Sequence, residues 1–346
     1  MFLTEQEILD TSAALQKTCT LFREMKDQTE AFFAQNKQRK FAFFGCGSSY
    51  MLAKSAAAVF GSFPETMATA IPAGDYIVNP DFWRESVKGS ILVSISRSGK
   101  TSEMVRAFKQ IQEQFDCPVI SLCMKDSNDI TPMCSLEFIM DWCYDHSVCQ
   151  TRTVTNLYAG LLLLAAAYSG KETLAASVEQ ASADNARFQQ ENRPVLAKIA
   201  AMDWNNVTVL ADGPVCGIAE EAALAFTEIS MLTGRYFHLL DFRHGPIVVN
   251  DKKSLVFMLL SPSEDTLQAD MVADVIAHGG PVITVSKHAE NIYNAAAHIQ
   301  ISGIEDFAAW GISFIYLAQM TAFLKALELG GNPDAPKGLS SYITLK

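Results

Sequence analysis

The chain has 346 residues, 49% of them hydrophobic, and its 27 Lys and Arg against 38 Asp and Glu leave a formal net charge of -11. That length supports one large core or two ordinary ones. The acidic balance repels nucleic acid and anionic membrane, leaving a small metabolite as the expected partner. Eight cysteines are scattered with no Cys-x-x-Cys pair and no Cys/His cluster at zinc spacing, so reduced thiols in a cytoplasmic protein and no metal site are expected.

The opening MFLTEQEILD lacks the basic and apolar segments of a secretory signal. Residues 4–35 have helical spacing and few breakers, which predicts an amino-terminal helix packed on the first folded unit. FAFFG (41–45), ILVSIS (91–96) and PVISLC (118–123) predict buried strands, with helices over 48–60 and 101–114 after two of them. LYAGLLLLAAAY (157–168) is shorter than the roughly 20 residues a bilayer span needs and predicts a buried helix. A polar helical stretch over 172–201 comes next, in which ENRP (191–194) predicts a break at Pro194.

Strands are then predicted at VTVLADG (207–213), SLVFMLLS (254–261) and PVITVS (281–286), with helices over about 217–233 and 265–277. The closing GGNPDAPKGLSSYITLK, rich in Gly, Pro and Ser, predicts an extended tail that needs a groove to lie in. This alternation is that of α/β proteins with parallel sheets covered by helices. The second half also repeats the first: Gly47 and Gly213, Ser96 and Ser261, Pro118 and Pro281 recur 163 to 166 residues apart. Such recurrence implies a duplicated unit, divided into 1–194 and 195–346.

Ligands of open parallel sheets sit beyond the carboxyl ends of the strands. GCGSSY (45–50) ends one strand, its glycines allowing close backbone approach, and SISRSGKT (94–101) ends another. Helix N-termini favour an anion, and Ser48, Ser49, Ser96, Ser98 and Thr101 add hydroxyl donors, with Arg97 and Lys100 supplying positive charge. The competing reading is helix capping, but five hydroxyls (Ser94, Ser96, Ser98, Thr101 and Ser102) exceed what one cap requires. Neither a Walker loop nor the Gly-x-Gly-x-x-Gly dinucleotide fingerprint is present. In the second half LLSPSEDT (259–266) aligns with the hydroxyl-rich loop but has lost its glycine and gained Glu264 and Asp265, which repel an anion.

These residues resemble the sugar isomerase (SIS) domain of phosphosugar isomerases and phosphosugar-binding proteins. Gly45-Cys46-Gly47-Ser48-Ser49-Tyr50 looks like its first signature, and Ser96-Arg97-Ser98-Gly99-Lys100-Thr101 like its second. The resemblance spans nearly the whole chain and implies two tandem SIS domains, each a parallel sheet flanked by helices in a flavodoxin-like αβα sandwich. Within the family the chain looks most like the isomerase domain of glucosamine-6-phosphate synthase and the tagatose-6-phosphate ketose/aldose isomerase group. It implies that Ser49, Ser96, Ser98 and Thr101 hold the phosphate of a sugar 6-phosphate. Thr151 and Arg152 sit where relatives carry a turn that touches the sugar.

On the stretch 220–234, Glu228 is flanked at helical spacing by Leu224, Ala225, Met231 and Leu232, which predicts a carboxylate on an apolar stripe. Such an acid is either neutralised by an arginine or, partly desolvated, raised in pKa to serve as a general base. Sixteen residues on, DFRHGP carries His244, a group able to exchange protons near neutral pH. The resemblance implies that both act: His244 opens the sugar ring, reaching across from a second subunit of a homodimer, and Glu228 moves a proton between adjacent carbons through an enediol or enolamine. Neither step calls for a metal or a nicotinamide cofactor.

The chain departs from the synthase pattern in having Ala225 and Ser341 where lysines are expected, and in leaving no room for a glutamine-cleaving domain before the first unit. Aldose–ketose isomerisation, deamination of an amino-sugar 6-phosphate and deglycation of a fructosamine 6-phosphate all remain, because they begin with the same proton abstraction. A non-catalytic phosphosugar sensor is the competing class. Such sensors usually join one sugar unit to a DNA-binding domain.

Overall fold

The computed structural model describes residues 2–340. After helices α1 (Leu3–Glu24) and α2 (Lys26–Gln35), the first unit contains β1 (Lys40–Gly45), α3 (Ser48–Gly61), β2 (Met67–Pro72), α4 (Ala73–Val78), α5 (Pro80–Val87), β3 (Ile91–Ser96), α6 (Ser102–Gln112), β4 (Val119–Cys123) and β5 (Leu136–Ile139). Helices α7 (Arg152–Ser169) and α8 (Glu172–Ala200) lead into β6 (Asn206–Leu210), α9 (Cys216–Ser230), β7 (Thr233–Phe237), β8 (Ser254–Leu259), α10 (Thr266–Ala277), β9 (Val282–Ser286), β10 (Ala297–Gln300) and α11 (Trp310–Glu328).

The first sheet has the order β2-β1-β3-β4-β5 and the second β7-β6-β8-β9-β10, with parallel pairing throughout. Both are the flavodoxin-like order, which confirms the duplication. Its switch point falls between the first and third strands of each unit, so ligands of the first unit are directed to the loops after β1 and β3.

Alternation along the strands sorts side chains between two layers. Phe41 and Phe43 enter a core between the sheets, while Ala42 and Phe44 face an outer core under α4 and α6. The central core draws on α1, α3, α7, α8, α9 and α11 and on both sheets, so the two units share one interior. The six strands read from sequence are those buried in the sheet centres. Those not anticipated, β2, β5, β7 and β10, are edge strands with part-exposed, mixed-polarity side chains.

Three expectations need correction. Residues 4–35 form two helices meeting at Met25. The helix carrying Glu228 ends at Ser230, because Met231 turns left-handed at φ 56 and Thr233 starts β7. Only Leu224 and Ala225 therefore flank Glu228 on its helix, and Met231 is exposed. The break at Pro194 is also absent: α8 runs through it, so a division between 194 and 195 falls inside a helix. A proline there leaves Gln190 O without its helical N–H donor, and α8 continues nonetheless, with Tyr316 Oη donating to the adjacent Gln189 O at 2.9 Å and Arg193 paired with Glu5.

The stretch Phe307–Glu328 is long and apolar enough to cross a membrane, but 89% of that window is buried inside the protein. It reads as a core helix.

Candidate active site

Close backbone turns shape both loops of the first unit. A Cβ on Gly45 would lie 2.3 Å from the Ser49 carbonyl carbon, so only glycine lets β1 turn into α3 this tightly. In the second loop Gly99 has φ +63 and would strike Asn128 at 2.4 Å with any side chain. Ser96 Oγ accepts the Gly99 N–H at 2.9 Å, and Ser98 Oγ accepts that of Lys100 at 3.2 Å. Neither N-cap residue, Gly47 for α3 or Thr101 for α6, makes a side-chain capping bond among the described residues. Conventional capping therefore does not account for this concentration of hydroxyls.

Both loops open into one cavity of about 280 Å³ lined by Ser48, Ser49, Ser96, Arg97, Ser98 and Thr101, and across it by Glu228. Six of the eight expected binding residues and the expected base are thereby brought together. Ser94 is fully buried in β3, and Lys100 is exposed and is not among the lining residues. A larger depression of about 1020 Å³ lies beside the start of β1, around Phe33, Lys37, Arg39 and Tyr168. It contains neither of the glycine loops nor a helix N-terminus of the first sheet. The smaller cavity is the better functional candidate.

Glu228 reaches the first unit because α9 packs closely against α3. A Cβ on Gly217 would sit 2.2 Å from Met51 O, and Ser55 Oγ accepts the Ile218 N–H at 2.7 Å. Lys54 and Glu220 pair across the same contact at 2.7 Å. Burial raises the Glu228 carboxyl above the ordinary carboxylate range, and the Arg97 guanidinium opposes that shift. The arginine weighed against the functional reading thus lines the same cavity as the acid. A carboxylate so placed can accept a proton from a bound substrate.

Sequence reasoning missed Glu221, two turns before Glu228 on the same face of α9. It is wholly buried, and burial together with Glu228 pushes its pKa well above the usual value, against a hydrogen bond from Ser48. Its Oε2 has no partner among the described residues. The i, i+7 spacing was the available signal. Cys46, Glu103, Val148 and Gln150 also line the cavity, and so do Gly338, Leu339 and Ser340 of the tail. That tail is held at Asp334, whose carboxylate accepts N–H bonds from Leu3 at 2.9 Å and Thr4 at 2.7 Å at the start of α1.

Thr151 and Arg152 are not in the cavity wall. Thr151 is fully buried, its N–H donating to Asp145 Oδ2 at 2.7 Å. Arg152 pairs with Asp145 at 3.7 Å and Asp10 at 3.6 Å and donates to Tyr144 O at 2.7 Å. The buried Asp145, pushed up to about 6 by desolvation and by Glu7, draws that cation away from the site. His244 is exposed on the loop after β7 and lies outside the cavity of its own chain. Ala225 is buried, and Ser341 lies outside the described residues.

In the second unit the corresponding loop binds itself. The Glu264 carboxylate accepts the Leu267 N–H at 2.9 and 3.0 Å and that of Gln268 at 3.3 Å, covering the N-terminus of α10. Asp265 is engaged by Lys287 and His288. This arrangement is a stronger exclusion of an anion than repulsion alone.

Residues 36–169 match the SIS domain family. The chain is 23% identical over 356 residues to the D-galactosamine-6-phosphate deaminase AgaS of Escherichia coli, covering 96% of this chain and 91% of that protein. The solved tagatose-6-phosphate ketose/aldose isomerase of Escherichia coli superposes with TM-score 0.84 at 22% identity, covering 96% of this chain and 95% of that one. The glucosamine-6-phosphate deaminase of Thermotoga maritima superposes with TM-score 0.75 at 21% identity, covering 95% and 100% respectively. These superpositions establish the fold.

Proposed function

We propose that this chain, whose residues 36–169 match the SIS domain family, is a phosphosugar aldose–ketose isomerase or amino-sugar-6-phosphate deaminase. The observation that carries this reading is the single cavity that joins the hydroxyl-rich loops of one unit to a half-buried carboxylate of the other. The phosphate is held by Ser48, Ser49, Ser96, Ser98 and Thr101 at the starts of α3 and α6. Glu228 takes a proton from one sugar carbon and returns it to its neighbour, and its raised pKa suits a base working near neutrality. Arg97, in the same wall, opposes that rise.

His244 completes the site in this reading from a second copy of the chain, because its own loop leaves it exposed and away from the cavity. A homodimer working in the cytoplasm is the corresponding assembly, with the two SIS halves of each chain joined through α8. Twenty-three per cent identity to a deaminase along nearly the whole chain supports ammonia as one leaving group.

The test is exchange of the carbon-bound proton with deuterated water across hexose, hexosamine and fructosamine 6-phosphates, with ammonia and isomer release followed in parallel. Glu228→Gln is expected to keep sugar-phosphate binding and to lose exchange by at least about 100-fold. Turnover retained in Glu228→Gln rejects the base assignment, and binding without exchange in the wild type identifies a sensor.

A further inference from the structure

We infer that Glu7, on α1 and outside the cavity, is a positioning residue for this site, gripping the 146–148 loop whose carbonyls hold the Arg97 guanidinium in the cavity that Glu228 lines. Glu7 is 2% exposed in the second turn of α1. Its Oε1 accepts the His146 N–H at 2.6 Å and the Ser147 N–H at 3.3 Å, and its Oε2 accepts the Ser147 hydroxyl. Arg97 Nη1 in turn donates to Ser147 O at 3.1 Å and to Val148 O at 3.4 Å. One residue, Ser147, therefore receives the grip on its N–H and side chain and transmits it through its carbonyl. The same loop continues to Gln150 in the cavity wall.

Among the described residues Arg97 after β3 opposes the rise of the Glu228 carboxyl, while Glu228 itself raises Cys149 before α7 and Glu221 on its own helix. Of these Arg97 alone is a cation, so its placement sets how far burial can raise the Glu228 carboxyl. Asp145, which feels the Glu7 charge, and its partner Arg152 belong to the anchor of α7. The importance of the linkage for catalysis rests on the isomerase or deaminase reading, but the linkage itself does not.

Titration of the Glu228 carboxyl by 13C NMR tests it, on protein labelled at the glutamate carboxyl carbon, with the resonance assigned by its loss in Glu228→Gln. Glu7→Gln keeps one carbonyl acceptor but sets an amide donor against the Ser147 N–H, while the Ser147 hydroxyl can turn to Cys149 O, so the grip on the loop and on Arg97 loosens. The Glu228 midpoint is expected to rise by about half a pH unit or more. Ser147→Ala, which removes the hydroxyl that Glu7 and Cys149 O share but keeps the N–H grip, should give a smaller rise, and in an Arg97→Met background Glu7→Gln should add none.

A folded Glu7→Gln protein with an unmoved midpoint overturns the proposal, and so does a full additional shift in the Arg97→Met background. Should Glu7→Gln not fold, an unmoved midpoint in Ser147→Ala overturns it instead. No substrate enters this measurement. Failure of every sugar phosphate to exchange would sink the functional reading and leave the Glu7 assignment standing.

Discussion

Replacing Gly217 by alanine perturbs the close α3–α9 contact that helps bring the two halves of the site together. The added methyl would start 2.2 Å from Met51 O and 2.5 Å from Ser55 N, whereas ordinary contact begins near 3.4 Å. Both obstacles are backbone atoms of α3, so α9 has to withdraw by about 1 Å. Overpacking of this kind costs about 1–3 kcal/mol, and stretching the buried Ser55–Ile218 hydrogen bond adds about 1 kcal/mol, giving a loss of about 2–4 kcal/mol.

Glu228 lies three turns further along α9, about 16 Å by the helical rise, and moves with it. A misplacement of about 1 Å between a base and its substrate lowers turnover by roughly 100-fold. Urea denaturation measures the first quantity and carbon-bound proton exchange the second. Gly61→Ala on α3, where no atom lies within 4 Å of the new methyl, is the control and should stay within about 0.5 kcal/mol of wild type. A Gly217→Ala protein with unchanged stability refutes the packing argument. One that is destabilised but exchanges normally refutes the claim that this contact places Glu228.

Two further predictions concern buried and tethering carboxylates. Because the folded pKa of Glu221 is raised, the folded state keeps a proton that the unfolded chain releases above about 4.3. Stability is therefore lost as pH rises from there through the folded value, and Glu221→Gln should lessen the fall in urea stability between pH 5 and pH 8; an unchanged fall refutes the assignment. Asp334 is the opposite case: burial works to raise its pKa but is outweighed by the N–H bonds of Thr4 and Leu3, so its folded value is lowered. Its tether holds above the unfolded value of about 3.9 and is lost as pH falls through the folded one. At neutral pH Asp334→Asn can keep its oxygen on Thr4 but turns its NH2 toward the Leu3 N–H, and should speed proteolytic clipping of residues 332–340 several-fold; equal clipping rates refute the tether.

The residues that were legible in the chain are those whose roles are local. Central strands such as ILVSIS announce themselves by continuous apolar runs, and the 45–50 and 96–101 loops by glycines and hydroxyls whose geometry is settled within a few residues. The duplication was legible for the same reason, since each copy repeats its own short-range signals. Edge strands were not, because β7 and β10 bury only part of their side chains and need little apolar character.

What the amino-acid order determined by itself was thus the repeated α/β unit, the glycine- and hydroxyl-rich loops and the acid on a helix. Tertiary packing alone decided that Glu228 faces those loops, because a glycine in one unit meets backbone of the other more than 160 residues away in the chain. It also decided that Pro194 does not end α8, that Arg152 serves the buried Asp145 rather than the cavity, and that Glu7 holds the loop behind Arg97. For the charged groups the physical reason is shared: burying a charge is unfavourable until a partner satisfies it, and Asp10 for Arg152 and the 146–147 loop for Glu7 come from distant segments that only the fold brings near.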